Sequence, residues 1–129
     1  MNRSIVVGLA MLAGAALGAA AVNGLHAQGR PPGGYAVIDI SEITDPEAFT
    51  KRLLPNETPA LAPFGGQFVI RTENIVGIDG TPPKRFVVIA FASAQTAKAW
   101  ASSAGQKELD ATRVKSTKSR VFIADGTIQ

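Results

Sequence analysis

The chain has 129 residues, 13 basic and 10 acidic side chains, a formal net charge of +3 and no cysteine. Its single histidine, His26, falls within the first 27 residues, so from Gln28 onward neither His nor Cys occurs. That excludes from the domain a Ser-His-Asp triad, a thiolate nucleophile, a Cys/His zinc site and any disulfide, and the reading calls for no metal and no cofactor.

The sequence pI of about 9.6 comes from a small excess of charge. No run of consecutive basic residues exceeds two, so it describes a slightly basic domain and not a nucleic-acid surface.

Residues 1–27 read as a leader. Met1-Asn2-Arg3-Ser4 carries the early positive charge, and Ile5 to Val22 is an uninterrupted uncharged run rich in Ala and Gly. A basic start, an apolar stretch and a small-residue exit describe a secretory signal peptide. Cleavage after Ala21 places Ala19 three residues from the cut, whereas cleavage after Ala27 places Leu25 there, a larger side chain than the peptidase prefers. The alternative is an uncleaved anchor in the inner membrane, since residues 5–22 are barely long enough to span a bilayer. Both readings put the domain outside the cytoplasm, periplasmic or secreted, with membrane contact only if the leader stays on. Residues 28–34 form a Pro/Gly linker, and residues 35–126 the domain, which without cross-links must hold together by burial, marginal for a monomer and easier for an oligomer.

Tyr35 to Ser41 alternates and is β-branched, which predicts a first strand. Asp45-Pro46-Glu47 is a helix start: a capping carboxylate, proline at the first helical position and an acid at the positive end of the dipole. Phe49 and Leu53 then share a face, Pro55 interrupts, and Thr58-Pro59 opens a second short helix running through Leu61 to Phe64. Gly65-Gly66 follows the last apolar residue of that stretch. A phosphate-binding loop has the order strand, glycines, helix. Here the order is helix, glycines, strand, so the pair reads as a helix stop.

Gln67 to Thr72 is the second strand, Asp79-Gly80 and Pro82-Pro83 mark a loop, and Arg85 to Phe91 is the third strand, apolar on both faces. Ser93 caps a helix in which Ala97, Trp100, Ala101 and Ala104 follow the i, i+3, i+4, i+7 rule, so Trp100 reads as core. Gly105 breaks that helix, Gln106 to Val114 is weakly helical, and Arg120 to Ala124 is the last strand. The order is βαββαβ: an α+β, ferredoxin-like domain with a four-stranded antiparallel sheet and both helices on one face.

The other face is open. Ala36, Ile38 and Ile40, with Phe68, Ile70, Val87, Ile89 and Phe91, are the sets expected under the helices. The open face then carries Tyr35, Val37, Asp39, Gln67, Val69, Arg71, Phe86, Val88 and Ala90. A contiguous apolar patch of this kind marks an interface or a ligand site. Two copies placing these faces together would cover both, enclose a cavity and form a two-fold homodimer, an α/β barrel.

RNA-recognition domains share the topology and stack bases on that face, with a third-strand motif K/R-G-F/Y-G/A-F-V-x-F/Y. Lys84 to Phe91 reads KRFVVIAF: Lys84, Phe86 and Phe91 fit, but Arg85, Val87 and Val88 replace the glycine, the small residue and the central stacking aromatic. Without that aromatic the main source of affinity is gone, and no nucleic-acid partner is expected.

The segments TDPEAF (44–49), FGG (64–66), PPKRFVVIAF (82–91), AKAWASS (97–103) and SRVFIADG (119–126) resemble a bacterial family of unknown function, the one numbered 1330, of the dimeric α/β-barrel superfamily. The resemblance covers about Tyr35 to Gly126. It implies a ferredoxin-like protomer and a barrel dimer, and no activity. The chain departs from it at Ala90, where many relatives are acidic, and at Ala101 and Ser103-Ala104-Gly105, where many carry a Tyr and a Pro-Glu-Tyr-like turn.

Two functions follow as expectations. The first is a small, partly apolar molecule bound in the barrel cavity over Phe86, Val88 and Ala90, or an accessory role with the cavity filled. The alternative is a cofactor-independent enzyme, monooxygenase- or isomerase-like, with Asp39 as base, Arg71 as anion clamp and Tyr35 as donor; it rests on analogy of fold. The plainer structural reading pairs Asp39 with Arg71 and leaves Glu73 and Arg85 solvated near strand ends. What separates the two functions is whether Asp39 and Arg71 converge in a cavity.

Overall fold

The computed structural model describes residues 32–126. The leader and its cleavage therefore lie outside the described residues. Four strands form one antiparallel sheet: β1 (Gly34–Ile43), β2 (Gln67–Thr72), β3 (Arg85–Phe91) and β4 (Thr117–Asp125), in the spatial order β2-β3-β1-β4. The helices between them pack on one face, and the βαββαβ, ferredoxin-like α+β arrangement expected from the sequence is the observed one.

The first helical region begins as expected, with the Ala48 amide donating to Asp45 Oδ1 at 3.1 Å. It does not break at Pro55. A short α1 (Pro46–Ala48) widens into a π-helical segment, Phe49–Leu53, and continues as α2 (Leu54–Leu61). Proline has no amide to donate to the carbonyl four residues back. The wider turn absorbs that loss: the Leu54 amide bonds Phe49 O, five residues back, and Phe49 and Leu53 both stay buried. Thr58-Pro59 is not a new start either; Pro59 lies inside α2.

A 3-10 turn, Ala62–Phe64, ends the region, and Gly65 takes the left-handed conformation (φ 65°) while its amide bonds Ala62 O. The glycine pair is thus a stop signal. Gly65→Ala meets no atom within 4 Å, so its penalty is purely conformational, about 1–2 kcal/mol by urea unfolding. Gly66 is needed for a different reason: a Cβ there would run into Leu61 Cδ1 and Phe91 Cε1.

Ser93 caps α3 (Ala94–Ser102) by accepting from the Thr96 amide at 3.0 Å. Ala97 and Trp100 are buried beneath it. The stripe ends there: Ser103 is extended, caps the next helix, and leaves Ala104 exposed. That helix, α4 (Ala104–Ser116), is longer than its weak pattern predicts, and it buries only Gln106, Leu109 and Ser116.

The core lies between helices and sheet. Ala36, Ile38 and Ile40 of β1 and Val87, Ile89 and Phe91 of β3 meet Phe49, Leu53, Leu61, Ala97, Trp100 and Leu109. Among the described residues, no helix is long and apolar enough to cross a membrane.

Candidate functional site

The open face is built by strand alternation and by register. Tyr35, Val37 and Asp39 of β1 stand opposite Ala90, Val88 and Phe86 of β3, and opposite Ala124, Phe122 and Arg120 of β4. All of these side chains share the face away from the helices, as expected for Tyr35, Asp39, Phe86, Val88 and Ala90. Tyr35, Val37, Phe86 and Val88 are half-buried in the plane of the sheet, while Ala90, flanked by Tyr35 and Gln67, is fully covered.

Two of the expected assignments are corrected on β2. The register with β3 shifts between Phe68 and Ile70, a β-bulge at Val69. One extra residue reverses the facing of everything after it. Ile70 now stands opposite Val88, on the open face, and Arg71 opposite Val87, on the helix face. Arg71 reaches Glu57 of α2 (3.7 Å) and lies over the Phe68 ring at 4.3 Å.

Arg71 and Asp39 are therefore on opposite sides of the sheet. Asp39 pairs instead with Arg120, its direct neighbour on β4, whose Nη2 donates to Asp39 Oδ2 at 2.7 Å. The carboxylate offered as a base is committed to a guanidinium, and the anion clamp offered beside it is absent. Arg85 also departs from expectation: it is buried, 8% exposed, and faces the helices. Four residues of the open face were missed, Ile70, Arg120, Phe122 and Ala124. Alternation of β4 outward from Arg120 would have found three of them; Ile70 needed the bulge.

The pair formed by Glu57 and Arg71 has a consequence for acid titration. Burial raises the Glu57 carboxyl above its ordinary 4.5, and the charges of Arg71 and Arg85 only partly offset that. Asp110 and Arg113 of α4 complete the nearby charges, paired with each other at 3.4 Å. A raised native pKa means that folding penalises the ionised form. Stability gained by protonation is fully present below the unfolded value and lost as pH rises through the native one. The stability of wild type relative to Glu57→Gln should increase as pH falls from 7 towards 4.5 and level off below. Urea midpoints of both proteins across that range would show it; a constant difference would mean that Glu57 is solvated.

Four antiparallel strands, a helical layer on one side and a bare apolar sheet face on the other define an α+β, ferredoxin-like protein. The sequence profile described as Domain of unknown function (DUF1330) matches residues 33–127, and the chain belongs to that family. Among solved structures it is similar to a Rhodopseudomonas palustris protein of unknown function, RPA0582, with TM-score 0.60, 11% identity, and coverage of 78% of this chain and 86% of that one. The methylated form of RPA0582 aligns with TM-score 0.56 and 12% identity over 76% and 84% of the two chains. A cofactor-independent oxygenase from Streptomyces nogalater, SnoaB, aligns at TM-score 0.46 and 15% identity over 76% and 94%. The likeness to RPA0582 concerns the fold, and the SnoaB alignment is too weak to bear on chemistry. No curated protein matches the sequence.

Proposed function

We propose that the protein works as a homodimer closed through its open sheet faces, and that it binds a small, partly apolar molecule there without transforming it. The observation that carries this reading is the face itself. Phe122 and Ile70 are 46% and 43% exposed, and they join Tyr35, Val37, Phe86 and Val88 in one floor. Each large apolar side chain left in water forgoes roughly 1.5–3 kcal/mol. A second copy supplies a matching surface without any further partner.

Binding is favoured over catalysis because Asp39 is tied to Arg120 and Arg71 lies behind the sheet. Native mass spectrometry of the exported protein tests the reading. A dimer that carries a reproducible extra mass supports it. A dimer of bare mass argues for a packed barrel with an accessory role, and a monomer removes the reading altogether.

Export belongs to the same proposal, and it rests on residues 1–27. Fusing those residues to alkaline phosphatase, which is active only outside the cytoplasm, should give activity. Soluble periplasmic product means cleavage, membrane-bound product means an anchor at residues 5–22, and an inactive fusion contradicts export.

A further inference from the structure

The helix side of the sheet sets two guanidiniums, Arg71 and Arg85, by a single carboxylate, Glu57. Arg85 opens β3 opposite Ile40, with the parity of Val87, Ile89 and Phe91, so its side chain enters the layer between sheet and helices. It is 8% exposed, and its guanidinium lies 5.6 Å from the centroid of the Phe49 ring. Its Nε is buried and has no hydrogen-bond partner. Among the described residues, no carboxylate lies within ion-pair distance of it.

The neighbouring polar groups are already engaged. Glu57 is 3.7 Å from Arg71. Arg113 donates to Ser119 Oγ at 2.6 Å and pairs with Asp110, which also accepts from Gln106 Nε2 at 3.1 Å. An arginine cannot shed its proton, so burial does not neutralise it as it would a lysine. A buried guanidinium whose nearest carboxylate is held by another arginine loses hydration that something must compensate.

Beside Arg85 is a small crevice walled by Ile40, Leu53 and Val87 and edged by Glu57, Gln106 and Arg113. Its volume is about 20 Å³. That is room for a single water molecule or one monatomic ion, and not for a polyatomic one. A water would satisfy Nε but leave the charge. We propose that this crevice is a binding site for a single halide-sized monovalent anion, such as chloride, held by Arg85. The proposal does not depend on the open face, and either can fail alone.

The probe is halide itself. Thermal unfolding of the purified protein is followed in sodium chloride and in sodium gluconate at matched ionic strength, gluconate being too large for the crevice. The melting temperature of wild type is expected to rise with chloride in the way a native-state ligand requires, and not with gluconate. Arg85→Met should lose the chloride response. Should that variant fail to fold, Arg85→Lys, which keeps the charge without the planar fork, should show a weaker response than wild type.

Glu57→Gln removes the negative charge nearest the crevice and should tighten chloride binding severalfold. Crystals grown in bromide should show an anomalous peak beside Arg85 Nε. Equal melting in both salts, a chloride response that survives in Arg85→Met, or water in place of bromide would each overturn the site.

Discussion

Phe91→Ala should remove about 3–5 kcal/mol of stability, the range found when a large aromatic is cut from a closed core. Phe91 is 0% exposed. Its ring lies 5.6 Å from that of Trp100, tilted by 39°, so it joins the last core position of β3 to the buried stripe of α3. Gly66 also packs against it, since a Cβ there would meet Phe91 Cε1 at 2.9 Å. Truncation would therefore leave a void bounded by three elements, none of which can close it alone.

Domains of this size have roughly 5–15 kcal/mol to lose, and each kcal/mol corresponds to about 4–8 °C of melting temperature. The variant is expected to melt roughly 12–40 °C below wild type, compared at one protein concentration because the melting point of the proposed dimer would depend on it. A loss under about 1 kcal/mol would mean that Phe91 is not at the centre of the core.

Phe122→Glu acts on association and leaves the fold intact. The side chain is 46% exposed in the protomer and stands opposite Val37 on the open face, so the single chain loses little by the change. In a two-fold dimer every substitution occurs twice. With about half of the side chain left to bury, the change forgoes about 0.7–1.5 kcal/mol per copy, roughly 1.5–3 kcal/mol of association free energy, a weakening of about 10- to 10²-fold before charge repulsion is counted. Sedimentation velocity should show the dimer proposed for wild type replaced by a monomer, with an unchanged far-UV circular dichroism spectrum. A dimer that persists in Phe122→Glu would place the interface elsewhere.

These two residues sit on opposite sides of one sheet, and that division was legible in the residues themselves. Alternation in Tyr35 to Ile40 and in Arg85 to Phe91 has a period of two, which is a property of the extended backbone alone, and the observed faces agree with it. Punctuation was local too: Asp45 and Ser93 as caps and Gly65 as a stop act over a few residues and need no tertiary partner. Pro55 reads as leaving the helix short or kinked; the helix instead widens just before the proline and runs on, because Phe49 and Leu53 are held in the core.

The candidate site divided along the same line. Tyr35, Asp39, Phe86, Val88 and Ala90 lie where alternation puts them. Arg71 does not, because the bulge at Val69 is decided by pairing with β3 and by what waits on each side, Glu57 and the Phe68 ring for the guanidinium. By itself the sequence determined the order of elements, the two faces of the sheet and the absence of histidine and cysteine chemistry from the domain, all of which follow from residue type and short-range periodicity. Only the tertiary structure decided that Asp39 is bound to Arg120, that Arg71 is turned behind the sheet, and that Arg85 is buried with its Nε unpartnered. Those outcomes depend on which strand lies beside which and on how the helices close over β3, and residues 14 to 81 positions apart in the chain settle them together.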